Sequence, residues 1–241
     1  MLHSLKQLLG DKLAASDGEI GQVKDFYFDD LNWVFRYLIV DTGSWLPGRL
    51  VLISPQALGN FHQDGDSLQV NLTQHQIENS PSIDSHEPVS RQYEVEYYRY
   101  YGWPSYWIGG GMGIMGGMPV VPPAHLMPVE QASHGSSRHD DEDPHLRSAR
   151  SLNGYHNQTS EGTIGHVTDF IMDDKNWAIH RMVVETGHWF SGKEILIAPN
   201  HIDRISYEES KVFVNVTKDA ILKAPEYHMP LGPVNMQDFT P

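Results

Sequence analysis

The chain predicts an all-β protein: two small β-barrel domains, each closed by a short C-terminal helix and joined by a long irregular linker. Three observations carry this. Residues 17–81 align with 161–225 at a constant offset of 144, without a gap and with 23 of 65 positions identical. Each copy is broken into short apolar strands by turn-forming residues. The middle of the chain belongs to neither copy. These features set the boundaries at 1–81 for the first domain, 82–148 for the linker, 149–228 for the second domain and 229–241 for a tail.

The elements follow in order along the first copy. Glu19–Phe28 reads as a strand, and Asp29-Asp30-Leu31-Asn32 has the Asx character of a turn. Val34–Val40 is nearly continuous apolar sequence, as in a strand buried on both faces. Thr42–Gly48 is a connection with two glycines and a proline, and Leu50–Ile53 is another short strand. Pro55-Gln56-Ala57-Leu58 suits a single helical turn with proline first. Leu68–Leu72 alternates as a strand. Thr73-x-x-Gln76 is a capping box opening a short helix, with Pro81 just past its end. Units of this kind, about 80 residues long, suggest a small and strongly bent sheet.

Composition excludes several chemistries. The chain has 241 residues, 31 acidic against 17 basic, for a net charge of −14. Phosphate repulsion makes it a poor binder of DNA or anionic lipid in general. It has no cysteine, so disulfides, thiol catalysis and thiolate metal sites are excluded. The N-terminus MLHSLKQLLGDKLAAS lacks the uninterrupted apolar run of a signal peptide, so a cytoplasmic protein is expected.

Four stretches raise chemical questions. Leu38–Trp45, LIVDTGSW, has the look of an aspartic protease around its catalytic aspartate. Such a site needs two aspartates sharing a proton. The counterpart here is MVVETGHW, where Glu185 replaces Asp41, so a strand end and turn are expected instead. Asp29-Asp30 and Asp173-Asp174 resemble fragments of a calcium loop, but Asp and Asn more simply cap turns. The tract from His134 to His145 is read as a solvated linker rather than a metal site. Residues 100–124 carry no charge, but seven glycines and four prolines argue against a lipid-spanning helix. Trp33 and Trp177 are read as packing residues.

The repeated pattern G-x-I-G-x-V-x-D-F, an apolar strand ending in Asp/Glu-Thr-Gly, then a glycine, an apolar strand and Ile-x-Pro, resembles the PRC-barrel domain. VFVNVTKDAILKAPEY extends the likeness, which covers about 17–81 and 161–228. The aromatic linker is similar to that of tandem bacterial members. The domain forms the soluble part of the photosynthetic reaction-centre H subunit and resembles the C-terminal domain of a ribosome-maturation factor. The H subunit carries an N-terminal membrane helix that this sequence lacks. The resemblance implies a small barrel, no family catalytic residues and no cofactor.

The expectation is therefore a binding or scaffold protein without enzymatic activity, supporting a membrane electron-transfer complex. The alternatives are a small-molecule or ion sensor, with a site between the barrels lined by linker aromatics and carboxylates, and a ribosome-assembly adaptor. The expected partner is a protein, with peripheral contact at the inner membrane and homodimer formation as further options. The candidate interaction residues are Trp45, Trp189, Tyr101, Trp103 and Trp107, because exposed aromatics anchor interfaces.

Overall fold

A computed structural model describes residues 1–59, 67–83, 89, 91–107, 146–187 and 192–228. The chain forms two compact bodies, Met1–Glu87 with Pro144–Pro241, and Pro88–Asp143. The first body holds both repeats.

The first repeat contains β1 (Leu2–Ser4), α1 (Leu5–Leu8), β2 (Lys12–Ala15), β3 (Gly18–Asp29), β4 (Val34–Asp41), β5 (Leu50–Ile53), β6 (Ser67–Gln69) and α2 (Gln74–Glu78). The second body contributes α3 (Arg91–Tyr101). The second repeat runs through β7 (Leu146–Ser148), α4 (Ala149–Leu152), β8 (His156–Thr159), β9 (Gly162–Asp173), β10 (Ile179–Thr186), β11 (Glu194–Ile197), β12 (Ile202–Ser206), β13 (Lys211–Val214) and α5 (Lys218–Lys223). The protein is mostly β, in two sheets that fit two small barrel-like domains.

The sheets have matching orders, β5-β4-β3-β2-β6 and β11-β10-β9-β8-β13-β12. After β5 the chain makes one 3-10 turn at Pro55–Ala57, and Leu58 then bridges Val70 beyond β6. In the second repeat a 3-10 turn at Pro199–His201 leads into β12, which pairs with β13. Each sheet thus curls back on itself. The predicted capping box is present: the Thr73 hydroxyl accepts from the Gln76 N–H, and the Gln76 side chain accepts from the Thr73 N–H. A matched cation closes the end of each terminal helix. Arg49 donates to the carbonyls of Glu78 and Ser80, and Lys193 to those of Leu222 and Ala224, where the negative end of a helix dipole favours positive charge.

The sequence pattern did not foresee what the first residues of each repeat do. β1 pairs with β9, with Leu2 opposite Asp173 and Ser4 opposite Ile171. β7 pairs with β3, with Leu146 opposite Asp29 and Ser148 opposite Tyr27. Each repeat therefore lends its first strand to the sheet of the other. The long strands β3 and β9 use one half of an edge for their own repeat and the other half for the borrowed strand.

A buried aspartate fastens each crossing. Asp169 accepts from the Ser4 hydroxyl and from the Lys6 N–H at 3.1 Å, so it caps α1 from the other repeat. Asp25 does the same for α4, accepting from the Ser148 hydroxyl at 2.5 Å and the Arg150 N–H at 3.0 Å. Flanking polar contacts repeat the pattern: His3 Nε2 lies 3.0 Å from the Asp174 carboxyl, and the Arg147 guanidinium donates to Asp30 at 2.8 Å. All of these pairs obey the offset of 144.

The tight turns join the repeats as well. Trp33 and Trp177 have φ of 54° and 61°, a left-handed conformation that costs a bulky side chain of order 1 kcal/mol or more. In that conformation the Trp33 carbonyl accepts from the Ile179 N–H at 2.7 Å, and the Trp177 carbonyl from the Phe35 N–H at 2.9 Å. Beside them Phe28 meets Phe170 with ring centroids 5.6 Å apart. The two tryptophans are half-buried, and Trp33 packs on Phe28 at 5.6 Å. Asp29 organises its turn by accepting from the N–H groups of Leu31 and Asn32 and from the side chains of Asn32 and Arg36. Burial opposes its charge, but the Arg36 guanidinium and the Asn32 donors outweigh it and hold the carboxyl below the usual range.

One core position differs between the repeats in a telling way. Leu13 on β2 is fully buried; its counterpart Asn157 on β8 is equally buried, and neither atom of its amide has a hydrogen-bond partner among the described residues. A buried unpaired amide costs about 1–3 kcal/mol. Asn157→Leu is expected to stabilise the protein by about that amount, read as a higher urea midpoint at unchanged slope.

Burial pushes the Asp25 and Asp169 carboxyls above the ordinary aspartate value, although the serine and backbone donors pull the other way. With the folded value above the unfolded one, folding takes up protons between the two. The resulting stabilisation is complete below the unfolded pKa of about 3.9 and fades as pH rises through the raised folded value. The double variant Asp25→Asn, Asp169→Asn lacks this dependence. Its urea midpoint relative to wild type should therefore move in the variant's favour as pH rises from about 3 to about 7; a gap that does not change with pH would contradict the assignment.

Candidate functional site

The Asp/Glu-Thr-Gly motif is a structural knot. The Thr42 hydroxyl is buried and lies 2.7 Å from the Leu46 carbonyl and 2.8 Å from that of Arg49. Thr186 repeats this by donating to the Lys193 carbonyl at 2.9 Å. Gly43, at φ 56°, permits the turn that follows. Gly21 has φ 144°, and a Cβ there would lie 2.1 Å from the Asp41 carbonyl oxygen; at Gly165 it would lie 2.1 Å from that of Glu185. The glycines of the G-x-I-G pattern thus let the strand beside them approach closely.

Asp41 is exposed at the end of β4. Its carboxylate accepts from the Gly43 N–H at 3.0 Å and lies 3.6 Å from the Lys24 ammonium. Glu185 sits at the matching end of β10 with His166 at 3.8 Å. Each acid faces a partner on its own sheet, Lys24 for Asp41 and His166 for Glu185, rather than the other acid. The paired aspartates of the turns are spent on turn N–H groups and on ion pairs between the repeats. Among the described residues no group of three or more metal-ligating side chains converges.

The loop after β4 forms one wall of an open groove of about 960 Å³. Its floor is the first half of β3, from Glu19 to Lys24. Leu9 and Gly10, following α1, form a second side. Arg150 and Asn153 reach in from α4 of the second repeat. The strand exchange therefore builds the groove, because it carries α4 across to the first sheet. Trp45 lines it, half-buried, with its N–H 3.1 Å from the Thr42 carbonyl.

The remaining candidate residues have different positions. Trp189 lies outside the described residues, so the counterpart of the groove is not described. Tyr101, Trp103 and Trp107 belong to the second body, where the expected irregular linker contains α3. Tyr101 stacks on Trp103 with centroids 4.6 Å apart, and Tyr98 meets Trp107 at 5.3 Å. Trp107 also lies under the Arg91 guanidinium at 4.4 Å. Glu94, fully buried, pairs with Arg91 at 3.0 Å and accepts from the Tyr106 hydroxyl at 2.9 Å. Burial, followed by the Glu94 charge, pushes the Tyr106 pKa far above the ordinary tyrosine value. These three aromatics form one half-buried cluster. Residues 108–145 lie outside the described residues, and the His/Asp tract with them.

The sequence reading missed Arg150 and Asn153. The available signal was the repeat itself. The offset of 144 continues upstream of residue 17, with Leu2, Ser4, Leu8 and Gly10 matching Leu146, Ser148, Leu152 and Gly154.

Among the described residues no helix is long and apolar enough to cross a membrane. Comparison with curated proteins finds no match to the chain. Comparison with family descriptions matches residues 157–221 to the PRC-barrel domain. That span begins in β8, ends in α5 and encloses the Glu-Thr-Gly knot. A PRC-barrel domain suggests a non-enzymatic binding or scaffold role, and such domains commonly mediate protein–protein interaction. The match shows a PRC-barrel domain at residues 157–221, inside the second repeat.

Proposed function

We propose that the protein is a non-enzymatic binding or scaffold protein whose two repeats are both PRC-barrels and present a common partner-binding surface. The groove beside Trp45 carries this reading. It is built from both repeats and combines an aromatic anchor with charged side chains. Support for the first repeat as a PRC-barrel comes from its strand order, which matches that of the second. The resemblance to the reaction-centre H subunit extends the proposal to a supporting role beside a membrane complex.

A small-molecule sensor is the second reading, favoured by a groove volume at the upper end of the roughly 300–1,000 Å³ typical of ligand sites. Affinity capture from native membranes and cytosol separates the two. The scaffold reading expects a discrete protein retained by the full chain, and retained at least about tenfold less by Trp45→Ala, the loss of roughly 1.4 kcal/mol that an aromatic anchor supplies. No retained protein, together with a melting temperature raised by a metabolite pool, would replace it with the sensor reading.

A further inference from the structure

In the groove, Arg150 lies in α4 and Asn153 is the residue that ends it, so one short element carries both to the groove lining. Both are exposed, and neither side chain has a hydrogen bond or ion pair among the described residues. The other charges lining the groove are already matched: Asp41 has Lys24 at 3.6 Å, and Glu19 has Lys12 at 3.8 Å. The nearby Asp25 carboxyl, which the Arg150 charge reaches, is bonded to Ser148 and to backbone N–H groups. Arg150 is thus the uncommitted charge of the groove, in a protein whose net charge is −14. Trp45 adds an apolar face and an indole N–H that has no hydrogen bond among the described residues.

The geometry points to a docking site for a peptide segment of a partner protein that carries an acidic side chain next to an apolar one. The Arg150 fork and the Asn153 amide take the carboxylate, and Trp45 takes the apolar neighbour. A guanidinium matches the two oxygens of a carboxylate with parallel hydrogen bonds. A phosphate dianion fits less well, because Glu19 and Asp41 line the same groove and repel a double charge more than a single one. Within the groove Arg150 is the cation without an ion pair among the described residues, so the preference for an acidic side chain centres on it. This inference rests on the binding role proposed above and names the chemistry of the partner.

The test uses the full chain, immobilised, and three pools of fluorescein-labelled random heptapeptides whose central residue is fixed as Glu, Gln or Lys. The Glu-centred pool is expected to be retained at least several-fold more than the Gln-centred pool. Arg150→Glu should abolish that preference and raise retention of the Lys-centred pool. Arg150→Gln, which introduces no new charge near Asp25, should abolish the preference alone, with an unchanged far-ultraviolet spectrum. Trp45→Ala should lower retention of both the Glu- and Gln-centred pools, and Lys211→Glu, on β13, should change nothing. Equal retention of all three pools by wild type overturns the inference, as does a Glu preference that survives both Arg150 variants. The second result would leave a binding role standing at another surface, whereas failure of the capture experiment removes that role itself.

Discussion

The reciprocal exchange of β1 and β7 is the constraint on which the rest depends. A half-used strand edge exposes unpaired N–H and C=O groups, and each repeat leaves such an edge on its longest strand. The borrowed strand satisfies it. Asp25 and Asp169 then anchor the short helix that follows each borrowed strand, by accepting from its serine cap and from a backbone N–H. Four-residue helices have little stability of their own, because nucleation costs more than one turn returns. α1 and α4 exist because the other repeat holds them.

The same exchange explains why strain is tolerated at Trp33 and Trp177. Their left-handed backbone turns a carbonyl toward the neighbouring repeat, and the hydrogen bonds at 2.7 and 2.9 Å form across the join. A less bulky residue would adopt this conformation more cheaply. The tryptophan rings add contact area at a place where Phe28 and Phe170 already meet. The turn acids serve the join too, through His3 and Arg147. What looked like a candidate cation loop is a set of turn caps and cross-repeat ion pairs.

The binding role we propose rests on that interlock rather than on either repeat alone. The groove beside Trp45 has a wall from the first repeat and donors from the second. The polar residues of the Asp/Glu-Thr-Gly motif, which suggest catalysis when read locally, hold the loop that presents the tryptophan. Thr42 ties the loop to itself, Gly21 lets the β4 end pack closely, and Asp41 faces Lys24.

The internal duplication determined much by itself. It placed the strands from Glu19 to Leu72, the capping box at Thr73 and the single turn at Pro55, because those elements depend on local periodicity and turn chemistry. It also set the expectation of a strand end and turn at Asp41, since Glu185 answers it in the second copy. The contribution of residues 2–10 and 146–154 was not legible as structure, although their match at the same offset was present. Their segments are too short for a periodic signal, and their hydrogen-bond partners lie about 120–170 residues away. For the same reason Arg150 and Asn153 read as ordinary surface residues, and only the exchange across the join places them beside Trp45. The sequence determined the local elements of each repeat. The tertiary structure decided that neither repeat completes its own edge, because that depends on which distant backbone groups remain unpaired after the local elements have formed.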